Sequence, residues 1–230
     1  MQTIGLLGGM SWESTATYYS LINEGIKNRL GGLHSARLCL FSIDFAPLEA
    51  LQHANNWEGA GQELAQAARQ VQQGGADFLL ICTNTMHRVA DAVEEAIDIP
   101  LLHIADATGE QLRANQVSKV GWLGTRFTME QDFYKARIEE KFGIATLIPG
   151  DAARSAIHRI IYEELCQGII NAKSRELFLR EIEVLTDQGA DGVILGCTEI
   201  AMLVKQEMTD TPLYDTTAIH CQAAIDRCLA

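Results

Sequence analysis

Features that would direct this protein to a membrane, a metal ion or a nucleic acid are missing from its sequence. No apolar run approaches the roughly 20 residues that span a bilayer, and the start lacks the basic leader of a signal peptide. The six cysteines form no CxxC pair and have no metal-ligand spacing, as is typical of reduced thiols. The net charge of −12 comes with no basic stripe. We therefore expect a cytoplasmic protein without membrane or nucleic-acid partners.

Signals for a bound cofactor are missing as well. The glycine-rich stretch 5–9 completes neither a GxGxxG nor a P-loop pattern. No lysine lies in a context typical of a pyridoxal Schiff base, and the histidines have no metal spacing. We expect no cofactor and no metal, and we interpret the glycine-rich turn as a place where the backbone approaches a small carboxylate.

What the sequence does contain is a repeat around two Cys-Thr pairs. Residues 75–84 read GADFLLICTN, and residues 189–198 read GADGVILGCT. In both copies a Gly-Ala-Asp turn precedes an apolar strand that ends beside a cysteine and a threonine. Two further pairs of segments match at nearly the same offset, 4–9 with 120–125 and 99–102 with 211–214. The repeat predicts an internal duplication.

Apolar runs alternate with amphipathic segments along both copies, which predicts an α/β protein. We expect two similar domains, each a parallel sheet flanked by helices, related by a pseudo-twofold axis with the site in the interdomain cleft. The expected boundaries are 1–103 plus 211–230 for the first half-domain and 104–210 for the second. The periodicity predicts strands at 3–8, 38–45, 78–82, 117–123 and 193–196, and helices at 14–30, 57–74, 86–97, 129–142, 157–167, 173–188 and 218–228.

The register of the repeat distinguishes the two candidate thiols. Counted from the Gly-Ala-Asp turns, an offset of 114 residues places Thr83, not Cys82, opposite Cys197. Adjacent side chains on a strand face different ways, so Cys82 is expected to point toward the core if Cys197 points into the cleft. Both loops lead into helices, and their backbone N–H groups are expected to hold a carboxylate and to favour thiolate over thiol.

These motifs resemble those of the cofactor-independent aspartate/glutamate racemase family over the full length. The resemblance rests on residues 4–13, 81–87, 124–125, 162–165 and 195–199. It implies that two groups on opposite faces of an amino acid exchange its α-proton, a role that two cysteines have in that family. It also implies a small acidic amino acid as substrate and allows a homodimer.

The chain departs from the family pattern at one position. Aligned on Asn84 and Thr85, the first catalytic cysteine of the family falls on Thr83, in agreement with the repeat. The alternative is that a one-residue bulge brings Cys82 into the cleft as the catalytic residue. The hypothesis is an asymmetric racemase in which Cys197 abstracts the proton from L-glutamate or L-aspartate and the Thr83 side returns one, with faster turnover from L to D.

Polar residues that follow the strands are candidates for substrate binding. Those just past the strand ends could bind the α-carboxylate or the ammonium group, or simply cap loops: Asn84, Thr85, Thr125, Thr198 and Glu199. The backbone amide of Met10 is a further candidate, and the resemblance implies that Gln52, in a predicted loop, reaches the distal carboxylate. Either a role in the site or a purely structural role is possible for four further residues: Trp12, Glu13, His87 and Glu164.

Other functions stay open at this point. A relative with the same fold that isomerises or decarboxylates a different acid has comparable motifs. A non-catalytic amino-acid-binding or sensing protein that has lost one base is another alternative, which the threonine at position 83 keeps open. A cysteine hydrolase is a weaker alternative, because no histidine lies beside Cys197 in the sequence.

Overall fold

A computed structural model describes residues 1–230. The chain divides into two compact units, one formed by Met1–Ile104 with His220–Ala230 and the other by Ala105–Ile219. Strands and helices alternate in both units, so the predicted α/β class with parallel sheets flanked by helices is confirmed. None of the helices combines the length and the apolar character needed to cross a bilayer.

The first unit is built on three parallel strands. These are β1 (Ile4–Gly8), β2 (Leu38–Ser42) and β3 (Phe78–Ile81), arranged in the order β2-β1-β3. All residues of β1 and β3 are buried, as expected for parallel strands covered on both faces. The helices are α1 (Trp12–Leu30), α2 (Phe45–His53), α3 (Trp57–Gln73) and α4 (Ala90–Glu94), with a 3-10 helix at Thr85–Val89.

The second unit is built on four parallel strands. These are β4 (Lys119–Leu123), β5 (Ala145–Leu147), β6 (Gly192–Leu195) and β7 (Leu213–Asp215), arranged in the order β5-β4-β6-β7. Short 3-10 helices lie at Leu165–Gln167 and Gln206–Met208. The remaining helices are α5 (Ile104–Ala114), α6 (Arg126–Glu130), α7 (Asp132–Phe142), α8 (Asp151–Glu163), α9 (Ala172–Asp187), α10 (Ile200–Leu203) and α11 (Thr216–Leu229), of which α11 ends in the first unit.

The Gly-Ala-Asp turns of the repeat have the same structural role in both units. The glycine of each turn has a positive φ, +90° in one and +91° in the other, which a residue with a side chain rarely adopts. The Asp77 carboxylate accepts the Thr3 N–H at 2.6 Å, and the Asp191 carboxylate accepts the Ser118 N–H at 2.8 Å. Each aspartate thereby ties its turn to the residues just before the central strand.

Alternation along β3 divides the core of the first unit into two layers. Phe78, Leu80 and Cys82 pack with residues of α1 and α11 on one side of the sheet. Leu79 and Ile81 pack on the other side with residues of α3. The side-chain alternation expected of a strand therefore continues through Cys82.

Three predicted helices are interrupted in the structure. The segment 157–167 contains the end of α8, at Glu163, and a separate 3-10 helix at Leu165–Gln167. The segment 86–97 contains the 3-10 helix Thr85–Val89 followed by the short α4, rather than one continuous helix. The segment 129–142 begins earlier, at Arg126, and is broken at Gln131, whose φ of −94° and ψ of 142° are extended. None of these three breaks coincides with a glycine or proline.

Helix α2 was not predicted. The segment 38–45 was expected to be one strand, but β2 ends at Ser42, and Asp44 caps α2 by accepting the Ala46 N–H at 3.3 Å. Pro47 lies in the first turn of this helix, where its missing N–H costs little. Gln52 therefore lies on a helix, and its predicted loop position is wrong.

The division of the chain differs from the expected half-domains at the C-terminal boundary. Residues 211–219 were placed in the first half, whereas the second unit extends to Ile219. The physical reason is the pairing of β7 with β6, which makes β7 the edge of the second sheet.

Candidate active site

The pairing of the strands fixes which residues of the two copies correspond. In the first unit β1 pairs with β3 so that Leu7 faces Ile81, and in the second β4 pairs with β6 so that Leu123 faces Leu195. The next backbone contacts are also equivalent, because the Cys82 N–H donates to the Leu7 carbonyl at 2.9 Å and the Gly196 N–H donates to the Leu123 carbonyl at 2.7 Å. Cys82 therefore corresponds to Gly196. One residue further, Thr83 corresponds to Cys197, so the register counted from the turns is confirmed.

Cys82 lies inside the core of the first unit. Its side chain is 0% exposed and packs in the apolar cluster that contains Tyr18, Ile22 and Ile225. Burial raises the pKa of the Cys82 thiol far above its ordinary value, which keeps it protonated. A buried thiol without a nearby base is a poor proton-transfer group.

Thr83 follows Cys82 and is half-buried. Its carbonyl oxygen accepts a hydrogen bond from His87 Nδ1 at 2.8 Å. Asn84 is buried immediately after it, and Thr85 begins the 3-10 helix as a half-buried residue. Three predicted polar residues of the first unit thus lie together at the carboxyl end of β3.

The loop after β1 lies beside these residues, because β1 and β3 are neighbouring strands. The Gly9 N–H donates to Thr15 Oγ1 at 2.8 Å, and a side chain added at Gly9 would overlap the backbone of Ile43. Gly9 is therefore required because the backbone of Ile43 lies too close to leave room for a side chain. The Met10 side chain is buried in the core, whereas Trp12 is 67% exposed.

Two predicted residues have partners that account for their position. Gln52, on α2, is buried and its Nε2 donates to Met86 Sδ at 2.8 Å. Glu164 accepts a hydrogen bond from Ser174 Oγ at 2.6 Å. Glu13 lies in the first turn of α1, where a carboxylate stabilises the helix N-terminus.

In the second unit, Cys197 and Glu199 form a thiol–carboxylate pair. Cys197 Sγ lies 2.8 Å from Glu199 Oε2 and donates to it, and Glu199 is buried. Burial, the negative charge of Glu199 and the neighbouring Cys166 raise the pKa of Cys197 well above its ordinary value. The expected preference for thiolate is therefore wrong, because these effects outweigh the loop amides. The Cys197 thiol is protonated, and the Glu199 carboxylate that can accept its proton is already in contact with it.

Two threonines of the second unit occupy the loops beside this pair. Thr125 follows β4 and is 6% exposed, and its hydroxyl oxygen has no hydrogen-bond partner within the protein. Thr198 is half-buried, and its hydroxyl lies 3.1 Å from that of Thr217. Because β4 and β6 are adjacent, the Thr125 loop and the Cys197 loop lie at the same edge of the sheet.

A cluster of buried histidines near Thr83 was not predicted. His87, His103 and His220 come from three distant parts of the sequence, and their exposures are 3%, 4% and 0%. The rings of His87 and His103 have centroids 4.5 Å apart. Their sequence separation gave no signal, because only the fold of the first unit brings them together.

Comparison with known proteins assigns the chain to a family. The family model for Asp/Glu/Hydantoin racemase matches residues 7–224. A Yersinia pestis structure, described provisionally as an Asp/Glu racemase, is 51% identical over 100% of both chains with a TM-score of 0.95. An aspartate racemase homologue from Pyrococcus horikoshii is 33% identical over 100% of both chains with a TM-score of 0.89.

A more distant curated relative supports the same assignment. The broad specificity amino-acid racemase RacX of Bacillus subtilis is 20% identical over 99% of this chain and 98% of its own length. Together with the match of the family model over residues 7–224, these similarities extend across both units. The chain belongs to the Asp/Glu/hydantoin racemase family.

Proposed function

We propose that the protein is a cofactor-independent racemase of an acidic amino acid, L-glutamate or L-aspartate, with Cys197 and Thr83 acting on opposite faces of the α-carbon. The observation that carries the proposal is the hydrogen bond of 2.8 Å between the Cys197 thiol and the Glu199 carboxylate, in a chain of the racemase family. A sulfur with an adjacent proton acceptor can alternate between thiol and thiolate, which acid–base catalysis at Cα requires.

The first proton transfer starts at Cys197. Glu199 takes the thiol proton as the substrate binds, and the resulting thiolate removes the α-proton from the L-enantiomer. The C–H electron pair remains on the substrate as a carbanion, delocalised into the α-carboxylate. Before this transfer the Cys197–Glu199 pair holds one proton, on sulfur. After it the pair holds two, one on sulfur and one on the carboxylate.

The second transfer uses the Thr83 side. A proton passes from the Thr83 hydroxyl, or through it from water, to the opposite face of the carbanion and gives the D-enantiomer. Water restores the proton to the oxygen, and Glu199 returns its proton to the solvent. The equivalence of Thr83 with Cys197 in the repeat supports this role, as does the burial of Cys82 in the core.

The two groups differ in base strength, so the individual kinetic constants are expected to be unequal. A threonine hydroxyl is a far weaker base than a cysteine thiol. It removes an α-proton from the D-enantiomer poorly, and turnover from L to D is therefore faster. The equilibrium constant of racemisation is unaffected, because enzymes do not change equilibria.

Neutral polar groups are proposed to bind the substrate carboxylates. Thr125 is the best supported, because its buried hydroxyl lacks a partner within the protein. Asn84, Thr85 and Thr198 flank the proposed acid–base residues at the strand ends. Hydrogen-bond donors in a site shielded from water stabilise the charge that develops on the α-carboxylate.

The proposal is tested by incubating the purified protein with L-glutamate or L-aspartate in deuterated water. Deuterium at Cα together with the D-enantiomer is the expected result. Binding without exchange would instead support an amino-acid-binding protein, and release of CO2 or a changed skeleton would support a decarboxylase or another isomerase.

A further inference from the structure

The buried histidine cluster of the first unit has no place in the chemistry described so far. Its members are His87, His103 and His220, and Tyr18 packs against His220 with ring centroids 5.6 Å apart. The His87 ring lies 4.5 Å from that of His103 and 6.0 Å from that of His220, centroid to centroid. Of these residues, His87 contacts the backbone of Thr83 directly.

The hydrogen bonds of His87 define its tautomer. Nδ1 lies 2.8 Å from the Thr83 carbonyl oxygen, which can only accept, so Nδ1 carries the proton. Nε2 lies 3.2 Å from the Ile104 N–H, which can only donate, so Nε2 carries none. His87 is therefore a neutral imidazole that uses both ring nitrogens, and the two bonds join residue 83 to residue 104.

His87 also makes two hydrogen bonds back to the loop that contains Thr83. The His87 N–H donates to the Asn84 carbonyl at 3.2 Å, so residues 83–87 are held by a backbone bond and a side-chain bond together. Because His87 is 3% exposed, water cannot readily replace it as the donor to Thr83. The orientation of the Thr83 peptide, and with it the direction of the Thr83 side chain, depends on this donor.

We propose that His87 is a positioning residue that orients Thr83 for delivery of a proton to the second face of the substrate. This inference rests on the proposed function. His87 itself transfers no proton, since its Nδ1 proton is committed to a carbonyl and its Nε2 lone pair to an amide. Small misplacements of an acid–base group are costly, with about 1 Å corresponding to roughly 100-fold in rate.

The proposal predicts a loss confined to the second proton transfer. In deuterated water, the L-substrate has two outcomes once its proton is removed. Cys197 exchanges the abstracted proton for a solvent deuteron through Glu199, and the carbanion regains that deuteron and returns to L, or it gains a deuteron from the Thr83 side and becomes D. The ratio of deuterated L to D therefore measures how well the Thr83 side works, independently of the amount of folded enzyme.

Two isosteric variants separate the two bonds of His87. His87→Asn keeps an amide donor near the position of Nδ1 and is expected to retain the wild-type ratio within about threefold. His87→Gln places its amide near the position of Nε2 and loses the donor to Thr83. In this variant the ratio of deuterated L to D is expected to rise about tenfold or more, while uptake of deuterium into the L-substrate continues.

A control variant and a double variant complete the test. His220→Gln alters another buried histidine of the cluster, whose bonds go to Tyr18 and the Leu102 carbonyl, and should leave the ratio unchanged. In a Thr83→Ala background, which is expected to form no D-product, His87→Gln should not change the rate of deuterium uptake into the L-substrate, because residues acting through one group are non-additive. Thermal melting shows that each variant compared is folded.

Other results would contradict either the positioning role of His87 or the proposed function. An equal ratio in His87→Gln and wild type, or an equal rise in His87→Asn and His87→Gln, would overturn the positioning role while leaving the racemase intact. So would a slower deuterium uptake into the L-substrate when His87→Gln is added to Thr83→Ala. Wild-type protein that neither exchanges nor racemises the substrate would overturn the proposed function and this inference with it.

Discussion

The loops that follow β3 and β6 occupy equivalent positions in the two units, but their side chains and contacts differ. Both follow a Gly-Ala-Asp turn, and both strands pair with the central strand of their sheet in the same register. In the second unit the loop presents Cys197 with Glu199 at 2.8 Å. In the first unit the corresponding residue is Thr83, whose carbonyl is held by His87.

Under the proposed function, few differences in sequence would make these two structurally equivalent loops functionally asymmetric. Gly196 precedes Cys197 in the second unit, and Cys82 precedes Thr83 in the first. Since strand side chains alternate, the extra thiol is turned into the core. In the proposed mechanism, the second half-site both accepts and donates a proton through sulfur, whereas the first mainly donates one.

The largest effect is expected from removing the sulfur of Cys197. Cys197→Ala should lower racemisation in both directions by about 1,000-fold or more, because a general acid–base group typically contributes about 100- to 10,000-fold. Chiral chromatography of the amino acid measures the rate of racemisation in each direction. Cys82→Ala is the matched control, expected to keep activity within about threefold, and a comparable loss in that variant would show that the wrong thiol had been assigned.

Replacing the partner of Cys197 should have the next largest effect. Glu199→Gln removes the proton acceptor and is expected to lower kcat by about 10- to 100-fold. It also removes a negative charge that raises the pKa of Cys197, so that pKa should fall. The pH dependence of alkylation by iodoacetamide measures the pKa, with Glu199→Asp as the charge-conserving control. An unchanged or higher thiol pKa would contradict the pairing.

Making the two half-sites more alike should reduce their asymmetry. Thr83→Cys introduces a stronger base on the first side, so the turnover from D to L is expected to rise several-fold relative to that from L to D. Initial rates from each pure enantiomer measure this ratio. Thr83→Ser, which keeps a hydroxyl, should behave like wild type. An inert Thr83→Cys variant would argue against a role for this position in proton transfer.

The last prediction concerns stability rather than turnover, and it distinguishes a buried histidine of the cluster from an exposed histidine. Burial lowers the pKa of His220 to about 4, although the Leu102 carbonyl opposes this shift. Below its ordinary pKa of about 6.5, the unfolded state binds a proton that the folded state excludes, so stability falls as the pH drops from about 6.5 to 4. The full effect is about 3 kcal/mol.

Urea unfolding at pH 7 and pH 4.5 measures this effect. The loss of unfolding free energy on acidification should be smaller in His220→Gln than in wild type. His34→Gln, which alters an exposed histidine, should show the wild-type loss. The same pH dependence in all three proteins would show that His220 is not the group responsible.

The equivalence of Thr83 and Cys197 could be predicted from sequence, because a turn with a positive-φ glycine and a bonded aspartate fixes where each strand begins. The alternating apolar and amphipathic segments likewise predicted parallel sheets. Helix α2 was missed because the apolar run continues past Ser42 and Pro47 obscures a helix that tolerates it in its first turn.

Contacts that depend on the path of a loop could not be predicted. The loop amides favoured a thiolate at Cys197, but the burial of this thiol and the negative charge of Glu199 beside it raise its pKa instead. The histidine cluster joins residues 87, 103 and 220, which no local pattern relates. The sequence shows which residues end the strands, but it does not show which of their atoms meet.

The asymmetry of the two half-sites is tested most directly by deuterium uptake in Thr83→Ala, with each enantiomer of the substrate offered separately. The L-enantiomer should still gain deuterium at Cα, because Cys197 and Glu199 remain, whereas uptake by the D-enantiomer and net racemisation should be lost. Equal uptake by both enantiomers, equal loss from both, or unchanged racemisation would contradict the assignment of Thr83 and Cys197 to opposite faces.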